Sequence, residues 1–217
     1  MLQLFCFLSI MSFTIQKKKK IVFFGDSITE LAVKPGGFIV KMDSMLQKNN
    51  INNFDLVGAG VSGNKIYDLY LRMEDDVLNK DPDVVVIFIG VNDVWHKRLI
   101  GTGTDADKFE KFYSAIIKKL TEKNIKVIIC TPAAIGEKTD FTNEQDGDLN
   151  KYCSIIRSIA AKNNLQLIDL RKIFLEYNLK NNPENKDRGI LTRDGVHFNE
   201  KGNQLAADEM LKVISKF

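Results

Sequence analysis

Histidine is nearly absent from this chain: its 217 residues include two, His96 and His197. Any imidazole chemistry rests on one of that pair. Cysteine is scarce too, and Cys6, Cys130 and Cys153 offer neither a metal-ligand spacing nor the even count of a disulfide framework. Cys130 ends an apolar run and Cys153 falls on a helical face, and neither precedes a strand-to-helix turn, so both read as buried free thiols. A membrane-length apolar run is missing as well. Met1 to Gln16 is nearly uncharged and rich in Leu, Phe and Ile, but it has the length of a signal-peptide h-region rather than of a span. Basic residues before that run and a small-x-small cleavage site after it are also missing; Lys17 to Lys20 follow it, and Cys6 after Phe5 makes a poor lipoprotein site. Residues 1–20 are therefore expected to be a leader, with export to the periplasm or exterior as the primary reading. A disordered or loosely docked tail on a cytoplasmic protein is the alternative.

Excess charge of one sign is lacking from the rest. The formal charge is +3, but without the lysine block 27 basic residues face 28 acidic ones. A folded body so close to neutral excludes the clustered Lys and Arg surface that nucleic acid requires. With 44% hydrophobic and 27% charged residues, the chain can bury one core of ordinary size, and one domain over residues 21–217 is expected.

What is present is a regular alternation of β-rich runs and amphipathic stretches. Strands are predicted at 21–24, 54–57, 84–89, 127–130 and 165–168. Between them Ile66, Leu69, Tyr70, Met73 and Val77 share one helical stripe, as do Phe109, Phe112, Tyr113, Ile116, Ile117 and Leu120, then Leu149, Tyr152, Cys153, Ile156 and Ile159. A terminal helix is predicted from near Asn199. Thr104 with Asp107 and Thr142 with Gln145 are expected to cap helix starts. The pattern is that of an α/β protein with a parallel five-stranded sheet between two helical layers. Ligands of such sheets bind outside the carboxyl ends of the strands. The strings that carry chemistry fall at those ends.

Gly25-Asp26-Ser27 follows the first strand, and Asp194-Gly195-Val196-His197 lies near the C-terminus. A serine hydroxyl is a poor nucleophile until an imidazole takes its proton and a carboxylate holds that imidazole. His197 has Asp194 one tight turn away; His96 has no such partner in its own string. Gly90-Val91-Asn92-Asp93 follows the third strand and places an amide NH₂ in the same mouth. The backbone N–H groups of Ser27 and Gly63, with the Asn92 side chain, are then candidate donors to the oxyanion of an ester's tetrahedral intermediate. Gly58-Ala59-Gly60-Val61-Ser62-Gly63 also matches G-x-G-x-x-G between a strand and a helix. That fingerprint belongs after the first strand of its unit, with an acid about twenty residues on at the end of the next strand. Here that distance lands on Asp81 and Asp83, before the third strand. A nucleotide-binding or other non-catalytic module built on Gly58, Gly60 and Gly63 is the rival reading from another class.

Gly25-Asp26-Ser27, Gly63 in its glycine-rich turn, Gly90-x-Asn92-Asp93 and Asp194-x-x-His197 resemble, in order, the four blocks of the SGNH, or GDSL-like, hydrolase family. The likeness spans nearly all the chain after residue 20, with Ile28 where the family name has leucine. The resemblance implies a flavodoxin-like, doubly wound α/β/α fold and acyl-ester hydrolysis through an acyl-enzyme, without metal or organic cofactor. It implies Ser27 as nucleophile, His197 as base, Asp194 as its orienting acid, and Ser27, Gly63 and Asn92 as the oxyanion hole. Asp26, Trp95, His96, Phe141 and Phe198 are expected to contribute to substrate binding around the mouth. Short loops and no lid-sized insertion point to an open site for short acyl groups. The expected activity is removal of acetyl or similar groups from a carbohydrate or another small ester. Lysophospholipase, thioesterase or acyltransferase activity on the same site is the alternative; neither nucleic acid nor stable membrane insertion is expected.

Overall fold

The computed structural model describes residues 17–217. Most of the expected leader, Cys6 included, lies outside the described residues. Strand β1 (Lys19–Gly25) begins inside the lysine block, two residues before the expected domain boundary. Its register explains why: Lys19 lies opposite Phe54, and the Lys20 N–H and ammonium bond Asp83 Oδ2 and Lys80 O, each at 2.7 Å. Lys19 and Lys20 thus form the start of an interior strand instead of belonging to a tail.

After β1 come α1 (Ser27–Ala32), α2 (Phe38–Lys48), β2 (Phe54–Gly60), α3 (Ile66–Asp76), a 3₁₀ turn (Leu78–Lys80) and β3 (Val84–Phe88). Then follow α4 (Val91–Ile100), α5 (Ala106–Glu122), β4 (Lys126–Cys130), α6 (Asp146–Lys162), β5 (Gln166–Ile168), α7 (Leu170–Asn181) and α8 (Glu200–Ile214). All strand pairs are parallel, in the order β2-β1-β3-β4-β5. This is the flavodoxin-like doubly wound arrangement, with the direction of winding reversing between β1 and β3. Helices α2 and α8 pack together on one side, and α3, α5 and α6 on the other.

Residues Ile21 to Phe24 and Val84 to Ile87 are fully buried, as expected of strands covered on both faces. Burying each such side chain contributes about 1.5–3 kcal/mol relative to exposure. Helix α2, unassigned from the sequence, presents Phe38, Ile39, Met42 and Leu46 to the core. The two expected capping pairs do not form. Helix α5 starts after Asp105, while the Thr142 hydroxyl donates to Asp140 Oδ1 at 2.7 Å in a local turn before α6. Side-chain caps occur instead at Asp26, Asp169 and Asn199, which accept from Ile28, Lys172 and Gly202 N–H at 3.0, 3.2 and 3.0 Å.

Two connections are longer than expected: residues 131–145 between β4 and α6, and residues 182–199 between α7 and α8. They hold each other. Gly136 N–H donates to Gly195 O and Glu137 N–H to Asp187 O, both at 2.9 Å. The buried Glu137 carboxylate accepts from the N–H groups of Ile190, Leu191 and Thr192 at 2.8, 2.6 and 2.9 Å. Length without regular structure is tolerated here because the backbone donors of one loop find acceptors in the other.

Candidate active site

Ser27 occupies the first position of α1, directly outside the end of the interior strand β1. Asp26 before it caps the helix through Ile28 N–H, and the Ser27 N–H has no intrahelical acceptor at that position. The serine is held close to β2 because Gly60 has no side chain. A Cβ at residue 60 would collide with the backbone N of Glu30 in α1. Gly58 and Gly60 therefore lie within β2 and serve the packing of α1 and its following turn. They do not form the phosphate-facing turn that a dinucleotide fingerprint requires, and the rival reading loses its geometry.

The long connection between α7 and α8 brings His197 to Ser27. The Ser27 Oγ to His197 Nε2 distance is 3.0 Å, and His197 Nδ1 lies 2.7 Å from Asp194 Oδ2. The other Asp194 oxygen accepts from Val196 and His197 N–H at 3.0 and 2.8 Å. Burial works to raise the Asp194 pKa, but the imidazole and these two N–H donors outweigh it and hold the carboxyl below its ordinary range. An ionised Asp194 thus fixes the Nδ1–H tautomer, leaving the lone pair of Nε2 toward the serine.

Gly63, in the turn after β2, has φ +77°, a left-handed conformation that favours glycine. Its N–H meets no acceptor among the described residues. Asn92 lies not in a strand-end turn but in the first turn of α4, almost fully buried. One of its amide hydrogens is committed to Asn64 O at 3.1 Å; the second is uncommitted. Beside it, Asp93 Oδ1 accepts from Ile66 N–H at 3.2 Å, so α4 holds the Gly63 turn at two points.

The weaker sequence assignments separate. Trp95 stays at the mouth, its ring edge-on to His197 with centroids 6.0 Å apart. His96 stands next to it at 5.5 Å. Phe198, expected to line the mouth, is a core residue, packed 4.8 Å from Phe174 and 6.1 Å from Phe88. An aromatic with two aromatic neighbours in the interior has more apolar area to bury there than at a wet rim. Phe141 is 90% exposed on the 131–145 connection with φ +65°. Asp26 is buried rather than open to substrate. Burial pushes its pKa up to about 7 against the Ile28 N–H, with the Asp93 charge adding to the rise and Arg72 opposing it. Buried Cys130 and Cys153 match the thiol reading, and burial raises both pKa values, that of Cys153 to about 12.

Two supporting residues escaped the sequence reading. One is Glu137, the anchor of the segment leading to Asp194. The other is Arg72 on α3, whose guanidinium donates to Gly25 O at 2.7 Å, Ala59 O at 3.1 Å and Asn64 Oδ1 at 2.6 Å while lying over the Phe24 ring. It ties the ends of β1 and β2 to the turn that presents Gly63. No local pattern marks either role, because the backbone carbonyls and N–H groups that Arg72 and Glu137 hold lie 13 to 55 residues away in sequence.

Comparison with known proteins places these features in company. The GDSL-like Lipase/Acylhydrolase family matches residues 23–205. An acetylxylan esterase of Geobacillus stearothermophilus is 28% identical over 215 residues, spanning 90% of this chain and 94% of that protein. An isoamyl acetate-hydrolyzing esterase of Schizosaccharomyces pombe is 26% identical over 208 residues, spanning 93% of this chain and 78% of that protein. The crystal structure of an acetyl xylan esterase, AlAXEase, is 65% identical and aligns with a TM-score of 0.89, covering 90% of this chain and 99% of that one.

Proposed function

Because the chain belongs to the GDSL-like lipase/acylhydrolase family, an ester-hydrolase family, we propose that it removes acetyl groups from carbohydrate esters, acetylated xylan or its oligosaccharides foremost. The observation that carries the chemistry is the alignment of Ser27, His197 and Asp194 at 3.0 and 2.7 Å. The carbohydrate part rests on the esterase that is 65% identical over nearly its whole length.

His197 Nε2 takes the Ser27 proton as Oγ attacks the acetyl carbonyl. The negative charge that forms on the carbonyl oxygen meets the free N–H groups of Ser27 and Gly63 and the spare Asn92 hydrogen. Collapse of this intermediate expels the sugar oxygen, which receives the proton from His197 and leaves an acetyl-Ser27. Water then enters, gives its proton to His197, attacks the acetyl carbonyl, and releases acetate while Oγ recovers the proton. Asp194 stays ionised throughout and favours the imidazolium of each step.

The test measures acetate release from p-nitrophenyl acetate and from acetylated xylan. Ser27→Ala is expected to lose roughly 10⁴-fold or more in kcat on both substrates, with its melting temperature little changed. Retained turnover would remove Ser27 from the nucleophile's role. Turnover of p-nitrophenyl acetate alone by the unaltered enzyme would refute the carbohydrate assignment while leaving the hydrolase. A profile from acetate to octanoate separates the acetyl reading from the lysophospholipase or thioesterase alternative. We further propose export, on the apolar character of residues 1–16; cell fractionation and the N-terminal sequence of the secreted product test it.

A further inference from the structure

His96 is left over when the reaction has been assigned, and its surroundings are unusual. Its Nδ1 is sealed from solvent and has no hydrogen-bond partner among the described residues. A buried N–H without an acceptor forfeits its full hydration, so the proton of the neutral ring belongs on Nε2. No carboxylate pairs with this imidazole among the described residues, in contrast to His197. Burial, and then the Lys65 ammonium, hold its pKa below the usual histidine value. At neutral pH His96 is thus a directed neutral donor rather than a cation or a second base.

The ring also borders the turn that presents Gly63. Cε1, the carbon between its two nitrogens, is 3.8 Å from where a side chain on Gly63 would begin, and nothing else lies within 4 Å of that point. Its neighbour Trp95 reaches His197. His197, Trp95, His96 and Gly63 therefore form a continuous arc from the base to an oxyanion donor. The oxyanion already has three donors in Ser27, Gly63 and Asn92, whereas the alcohol half of the substrate has none assigned.

From this arrangement we propose that His96 is a specificity-determining residue whose Nε2–H donates to a hydroxyl or ring oxygen of the sugar that carries the acetyl group. The inference rests on the carbohydrate reading above. A polar site that must pair with a substrate oxygen discriminates against esters without one, because the donor is then left unmatched. His96 so favours sugar acetates over acetates of apolar alcohols.

The experiment compares acetylated xylobiose with p-nitrophenyl acetate for the unaltered enzyme, His96→Phe and His96→Gln, with the melting temperature of each recorded. Phenylalanine keeps a ring without the donor, and glutamine keeps an N–H close to the position of Nε2. His96→Phe is expected to lose roughly tenfold in kcat/KM on acetylated xylobiose, the worth of one hydrogen bond of this kind, and less than twofold on p-nitrophenyl acetate. His96→Gln is expected to recover most of that loss. Equal losses on both substrates, or no loss on either, would overturn the proposal while leaving the carbohydrate reading standing. An unaltered enzyme inactive on acetylated xylobiose would overturn both.

Discussion

Asn92 shows how far single residues could be read from their neighbours in sequence. The string Gly90-Val91-Asn92-Asp93 placed an amide in the mouth, but not the division of labour between its two hydrogens, one tied to Asn64 O and one free. Truncating it removes both the free donor and one tether of the Gly63 turn. Asn92→Ala is expected to lower kcat by roughly 10²- to 10³-fold, the usual worth of an oxyanion donor, with much less change in KM. A defect confined to KM would show that the amide binds substrate without serving the transition state. The strings holding Ser27, Asp194 and His197 stood out because histidine occurs only twice in the chain and Asp194 lies three residues before one of the two; the fold brings the three side chains into line at 3.0 and 2.7 Å. Trp95 and His96 could be located but not given roles, since their work depends on which way each ring turns. Phe198 was misplaced because an aromatic next to His197 looks the same in sequence whether it faces the mouth or Phe174.

The strands were readable at the scale of elements because burial on both faces demands unbroken runs such as Val84 to Ile87. The supports of the site were not, and Glu137 is the plainest case. One carboxylate takes three backbone N–H groups in the segment that ends at Asp194 and His197. Glutamine at 137 retains a single acceptor oxygen and turns an NH₂ toward a backbone donor. At about 1.5–3 kcal/mol for a bond to a charged group, Glu137→Gln is expected to destabilise that segment by a few kcal/mol. Amide hydrogen exchange at residues 190–192 should accelerate by two orders of magnitude or more. Turnover should fall without any group in contact with substrate having changed. Exchange at those three amides indistinguishable from the unaltered protein would show that the segment is held by other means.

The whole molecule adds a dependence on pH that no local string contains, because it arises where two distant carboxyls are buried under one sheet end. Burial raises Asp26 to about 7 and Asp93 to about 6 from 3.8, and the Asp93 charge adds to the rise at Asp26. A carboxyl whose pKa is raised by folding stabilises the folded state fully below its unfolded value. That contribution fades as pH climbs through the folded value, so the loss attributable to this pair falls between about pH 4 and 7. Asp194, held low, acts in the other direction and at lower pH, losing its contribution only as the medium falls through its depressed value. His96, also held low, loses stability as pH falls below the ordinary histidine range. Both are common to the unaltered protein and to Asp26→Asn, so their difference isolates the buried carboxyl. Asparagine keeps an oxygen for the Ile28 N–H but has no charge to desolvate. Relative to the unaltered protein, Asp26→Asn should therefore gain in melting temperature as pH rises from 5 to 8. At about 2–4 °C per kcal/mol for a chain of this size, the gain at pH 8 should reach several degrees. A difference that stays constant across this range would show that the carboxyl at residue 26 remains ionised in the folded protein and that its burial is compensated by a donor other than Ile28.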